Sequence, residues 1–190
     1  MRVLAGDIGG TSTRLCTAEC TAGVCRLQRT QQFASVSYIG LAQILDEFLQ
    51  QESAPSIDAV CLAIAGPVRS TSAGQSAKVT NLPWEIESGA LAQTFGFARV
   101  RLINDFEAIG YGLSMLGTSD FVVLQKGNPV PRGPRALIGA GTGLGQAILV
   151  WQGDHYDVIS TDGGHADFGP VDELQLELSR YLQRQCGHAS

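Results

Sequence analysis

Leu4-Ala5-Gly6-Asp7-Ile8-Gly9-Gly10-Thr11-Ser12-Thr13-Arg14 is the stretch on which the fold turns. The apolar run from Val3 to Ile8 is stopped by two glycines, which predicts a buried strand ending in a tight turn. An acidic residue sits at the end of that strand and a hydroxyl follows the turn. Glycines let backbone N–H groups face an anion at close range, Thr11 adds a donor, and Asp7 can hold a hydrated Mg²⁺. A plain β-hairpin turn competes with this, because Gly-Gly serves a turn equally well.

Outward from this stretch, Leu15 to Glu19 and Val24 to Phe33 complete a meander of three short strands. A helix fits Ile39 to Gln50, since Leu41, Ile44, Leu45, Phe48 and Leu49 share one face. Asp58 to Ala65 is a buried strand ended by Gly66-Pro67, and the Ser/Thr/Gly-rich segment Arg69 to Lys78 is expected to be a loop. A helix over Ser88 to Phe95 ends at Gly96. A strand from Val100 to Ile103 then leads through Asn104-Asp105 into a helix with Phe106, Ile109, Leu113 and Leu116 on one face. The order is that of an α/β protein.

After Gly117 the pattern restarts, with strands at Phe121 to Leu124, Ala136 to Ile138, Ala147 to Trp151 and Tyr156 to Ile159. Gly127 to Pro134 is a connection, and a helix covers Val171 to Gln185. The expected domains are therefore 1–112 and 113–190, whose similar strand-rich openings hint at an internal duplication.

The chain has 190 residues, room for one domain or for a small domain and part of another. Its formal charge is -5, and Lys and Arg never cluster, so nucleic acid and anionic membrane surfaces are disfavoured partners. A polyanion such as ATP would have to be held by backbone N–H groups and Mg²⁺. The N-terminus lacks the apolar run of a signal peptide, and no segment approaches transmembrane length. Cysteines stand at 16, 20, 25, 61 and 186. Their odd number, with no export signal, is expected of reduced thiols in a cytoplasmic protein. Cys16, Cys20 and Cys25 lack the paired spacing of a zinc site and are better explained as buried strand residues.

Three further segments carry chemistry. Gly139-Ala140-Gly141-Thr142-Gly143-Leu144-Gly145 lies between two strands and fits neither G-x-G-x-x-G nor a P-loop. A second phosphate-facing hairpin remains, with Gly141, Thr142 and Gly143 at its tip. Leu102-Ile103-Asn104-Asp105-Phe106 puts Asp105 at the mouth of a strand and the start of a helix. One explanation is a helix N-cap, which Asn and Asp both favour. The other makes Asp105 the acceptor of a proton from an attacking hydroxyl, kept ionised by the helix N-terminus, with Asn104 bonding a vicinal diol. Thr161-Asp162-Gly163-Gly164-His165 is a compact loop whose Asp and His converge on something polar, or a simple turn with a satisfied His.

In this order and at these separations, the four segments resemble the bacterial glucokinases of the hexokinase–actin superfamily. Thr80-Asn81-Leu82-Pro83-Trp84, similar to the family's substrate-side loop, and Cys186-Gly187-His188-Ala189-Ser190 add to the likeness. The resemblance implies an actin-like ATPase (ribonuclease H-like) fold with a complete small domain and a truncated large one. It implies ATP and Mg²⁺ as cofactors and phosphorylation of glucose at its 6-hydroxyl. Gly6, Asp7, Ile8, Gly9, Gly10 and Thr11 match the first phosphate motif, and Gly141, Thr142 and Gly143 the second. Asp105 matches the catalytic base, and Asn104, Asn81 and His165 match sugar ligands. Asp162 stands where the family usually has Glu, a carboxylate shorter by about 1.5 Å, one C–C bond. The zinc site that related kinases carry after the equivalent His is not expected, because Ala166-Asp167-Phe168 follows here.

The family continues past the position of Ser190, so a chain of this length is expected to need a complementing piece or a homodimer partner for full activity. Two other functions stay open: a sugar- or nucleotide-binding remnant without turnover, and a kinase for another hexose or an amino sugar.

Overall fold

The computed structural model describes residues 1–22, 24–51, 57–72, 74–141, 143–161 and 163–189. The chain divides into two compact units, Met1–Ala108 and Ile109–Ser190.

The first unit opens with β1 (Arg2–Ile8), β2 (Ser12–Thr21) and β3 (Val24–Ala34), an antiparallel meander. Helix α1 (Leu41–Gln50) follows, then β4 (Ala59–Ile64), which pairs parallel to β1. Strands β5 (Val68–Thr71), β6 (Gly74–Lys78) and β7 (Glu85–Glu87) form a separate antiparallel sheet. Helix α2 (Ser88–Phe95) then leads to β8 (Val100–Asn104), parallel to β4, and to α3 (Asp105–Gly112). The main sheet has the order β3-β2-β1-β4-β8. Its core is apolar because alternate residues of the central strands, such as Leu4, Ile8, Leu62 and Ile64, point to buried faces. Leu41, Ile44, Leu45 and Phe48 of α1 close over that layer at helical spacing.

The second unit contains β9 (Arg135–Ala140), β10 (Leu144–Gln152) and β11 (His155–Thr161), another antiparallel meander, and α4 (Glu173–Cys186). Ala147, Leu149 and Val158 face its interior. The α4 N-terminus is capped by Asp172, whose Oδ1 accepts from the Gln175 N–H at 2.8 Å. No helix among the described residues is long and apolar enough to cross a membrane.

Four expectations are corrected. Residues 69–71 and 74–78 are strand, because β6 pairs with β5 on one side and β7 on the other and buries Ala77 despite the polar composition. Phe121 to Leu124 joins no sheet among the described residues and is irregular and exposed. The helix after Asp105 stops at Gly112 and goes on only as a short 3₁₀ turn, Leu113–Met115. Cys20 and Cys25 are joined in a disulfide rather than buried as thiols, because the β2–β3 register sets them opposite each other at the exposed end of the hairpin. Cys16 and Cys61 are half-buried free thiols, and burial pushes both above the ordinary thiol range.

Candidate active site

Strands β1, β4 and β8 run parallel, so their carboxyl ends lie side by side. Asp7, Ala63 and Ile103 share one rung, and Ile8, Ile64 and Asn104 the next. Two strand spacings, about 10 Å, separate β1 from β8. Ligand sites of α/β sheets form at this edge because the strands stop there and the following loops fan out.

The Gly9-Gly10 turn joins β1 to β2, with the Gly9 N–H donating to Ser12 O at 3.0 Å. Gly10 is needed for close approach: a Cβ there would stand 2.6 Å from the Thr80 carbonyl oxygen. The turn therefore abuts the Thr80-Asn81 loop. Behind it lies Ser35, fully buried, whose Oγ donates to Gly9 O at 2.8 Å and is 3.0 Å from Thr13 Oγ1. The Ser35 N–H also donates to Thr11 O at 3.0 Å. Ser35 and Thr13 escaped sequence inspection, since a polar residue at a strand end has no pattern that marks it as buried. Gly6 sits inside β1, where Leu62 and Leu15 fill the space of its missing side chain, and the Ile8 side chain is in the core. Asp7 and Thr11 are exposed at the mouth.

Asn81 has a left-handed backbone, φ 64°, a conformation Asn tolerates better than most residues. With Arg69, Lys78, Thr80, Glu85 and Glu87 it lines an open groove of about 600 Å³. Asn104 and Asp105 do not line that groove, which lies beside the sheet edge.

Asn104 caps α3: its Oδ1 accepts from the Phe106 N–H at 2.9 Å and from the Glu107 N–H at 3.4 Å. Its Nδ2 donates to Gly66 O at 3.2 Å. The Asp105 Oδ1 also accepts from the Phe106 N–H, at 2.9 Å. Burial pushes the Asp105 carboxyl above the ordinary aspartate range; the Phe106 N–H opposes this, and the negative charge of Asp7 adds to it. The N–H groups at the helix start favour the ionised form, as expected, and desolvation outweighs them in setting the direction of the shift. Among the described residues neither Asp7 nor Asp105 forms an ion pair. Asp7, exposed and without a cationic partner, is the carboxylate here that could hold a hydrated divalent cation.

In the second unit the β9–β10 hairpin turns at Gly141 and Gly143, with the Gly141 N–H donating to Gly143 O at 2.9 Å. Gly163–His165 forms a 3₁₀ turn packed on the start of β10. A Cβ at Gly164 would collide with the Leu144 carbonyl oxygen, so the glycine is what lets the turn sit there. His165 is exposed beside this glycine hairpin. Thr142 and Asp162 lie outside the described residues.

A mixed sheet opening on a three-stranded meander, with a glycine turn between its first two strands, is the fold of an actin-like ATPase. The solved glucokinase of an Antarctic psychrotroph matches it with a TM-score of 0.78 at 29% identity, covering 100% of this chain and 58% of that one. The solved glucokinase of Balamuthia mandrillaris, in complex with glucose, shares the fold with a TM-score of 0.65 at 23% identity, covering 96% and 54%. The Glucokinase family model matches residues 4–190, and the chain belongs to that family. The curated glucokinase of Nostoc punctiforme is 42% identical over 182 residues, 95% of this chain and 52% of its own. The chain spans about half the length of the curated relatives it matches.

Proposed function

We propose that this chain carries the phosphate- and hexose-facing residues of an ATP-dependent kinase acting on the 6-hydroxyl of glucose. The observation that carries this is Asp105, half-buried at the carboxyl edge of the sheet, with its carboxyl raised by burial and by Asp7. A carboxylate above the usual range is a stronger proton acceptor than an ordinary aspartate.

Asp105 takes the 6-hydroxyl proton as the sugar oxygen attacks the γ-phosphorus. The new O–P bond forms while the bond to the β,γ-bridging oxygen breaks, and ADP leaves with that electron pair. Backbone N–H groups of Gly10 and Thr11 face the phosphates, on the turn that Gly9 closes after the Gly6-Asp7-Ile8 strand. The Gly141-Thr142-Gly143 tip is assigned the second phosphate contact, and donors fixed before reaction need not reorient as charge develops. Asn81, Asn104, Asp162 and His165 bond the sugar hydroxyls. Mg²⁺, held through water at Asp7, supplies charge neutralisation on the phosphates when bound. The setting that goes with ATP use is the cytoplasm.

The test is glucose-dependent ADP release by the chain, beside calorimetric titration with glucose. ADP release at a rate set by glucose concentration is expected. Glucose binding without ADP release would replace the kinase by a sugar-binding protein, and ADP release with a different hexose or an amino sugar alone would change the acceptor.

A further inference from the structure

Strand β8 is the outer strand of the main sheet, paired with β4 on one side only. An outer strand that is buried must find other partners for its free N–H and C=O groups. Leu102, in the middle of β8 and 1% exposed, finds both in one side chain. Its N–H donates to Gln75 Oε1 at 2.9 Å, and its carbonyl accepts from Gln75 Nε2 at 2.9 Å. The carboxamide stands in for the missing neighbouring strand.

Gln75 is itself held in place. Its backbone N–H donates at 2.8 Å to Oγ of Ser88, a buried residue at the start of α2. It lies on β6, and the β5–β6 hairpin begins just after Gly66, whose carbonyl accepts from Asn104 Nδ2 at 3.2 Å. The hairpin region thus grips β8 at Leu102 and again at Asn104, the residue before Asp105. No other side chain among the described residues bonds the backbone of β8.

We propose that Gln75 is a positioning residue for Asp105: it holds β8 as a neighbouring strand would, and so fixes where the strand delivers the carboxylate. The proposal rests on Asp105 being the proton acceptor. Gln75→Met keeps the length of the side chain and removes both bonds. Gln75→Glu keeps the acceptor at neutral pH, loses the donor, and regains it when the carboxyl is protonated.

Amide exchange at Leu102 and carbon-13 titration of the Asp105 carboxyl, both by NMR on the 190-residue chain, test this, with glucose turnover alongside. In Gln75→Met the Leu102 amide should exchange about tenfold faster or more, while Leu4, in β1, exchanges as before. The Asp105 titration should move toward the ordinary aspartate range, and kcat should fall about tenfold with KM within about threefold. Unchanged exchange at Leu102 overturns the proposal. Faster exchange with an unmoved Asp105 titration also overturns it, since Gln75 would then be structural only. Should Gln75→Met fail to fold, Gln75→Glu decides: Leu102 protection that rises as the new carboxyl protonates supports the clasp, and protection independent of pH sinks it. A wild-type chain that binds glucose without turnover would sink the role of Asp105 as base and leave the exchange and titration results standing.

Discussion

Asp105 ionises where water is partly excluded and a second carboxylate, Asp7, stands nearby. Its folded-state pKa lies above the unfolded one, so the folded state holds the proton more tightly. The stability this group contributes is therefore fully present below the ordinary aspartate pKa and is lost as pH rises through the raised value. Asp105→Asn, which mimics the protonated form, should raise the thermal midpoint at neutral pH, and the gain should vanish in acid below the ordinary value. Scanning calorimetry at several pH values checks this, and a lowered midpoint at neutral pH would contradict it. Asp105 and Asn104 were legible in the sequence because a strand end followed by a helix start leaves few places for an Asn-Asp pair. Ser35, Thr13 and Gln75 were not legible. Each acts through side-chain hydrogen bonds to a distant residue, at sequence separations of 22 to 27, which no local pattern encodes.

At the scale of elements, periodicity succeeded where one face is apolar and failed where burial is shared with polar groups. Helix α1 was legible because Leu41, Ile44, Leu45 and Phe48 repeat at helical spacing, and all four are buried. The β5–β6 hairpin was not, because its one deeply buried residue is Ala77 and its remaining positions look like loop. Phe121 to Leu124 misled in the opposite sense: four apolar residues read as a strand, yet a strand needs a pairing partner and this segment has none in the ladders. The weight of α1 rests on Phe48, fully buried, edge-on to Phe33 at 6.4 Å and beneath the Arg29 guanidinium at 4.4 Å. Phe48→Ala should cost about 3–5 kcal/mol, a large share of a typical domain's stability. Urea titration measures this through the midpoint, and a loss below about 1 kcal/mol would mean α1 is not seated on the sheet as described.

At the scale of the molecule, two units each open on an antiparallel meander, β1-β2-β3 in one and β9-β10-β11 in the other. The glycine turn between the first two strands of each meander is the feature the sequence showed most plainly, because glycine clusters stand out from apolar strands. The second unit exposes Ile138, Ile148 and Ile159 on one face of its sheet, with Ile148 directly opposite Ile159. The proposed chemistry turns on Asp105, in the first unit. Its central step is proton transfer to Asp105, and the direct measurement is phosphorus NMR of ATP with glucose, comparing the wild-type protein with Asp105→Ala. The sugar-phosphate signal should grow at least about 100-fold more slowly in the variant, while calorimetry finds glucose affinity within about threefold. Sugar phosphate appearing at the same rate in both would contradict it.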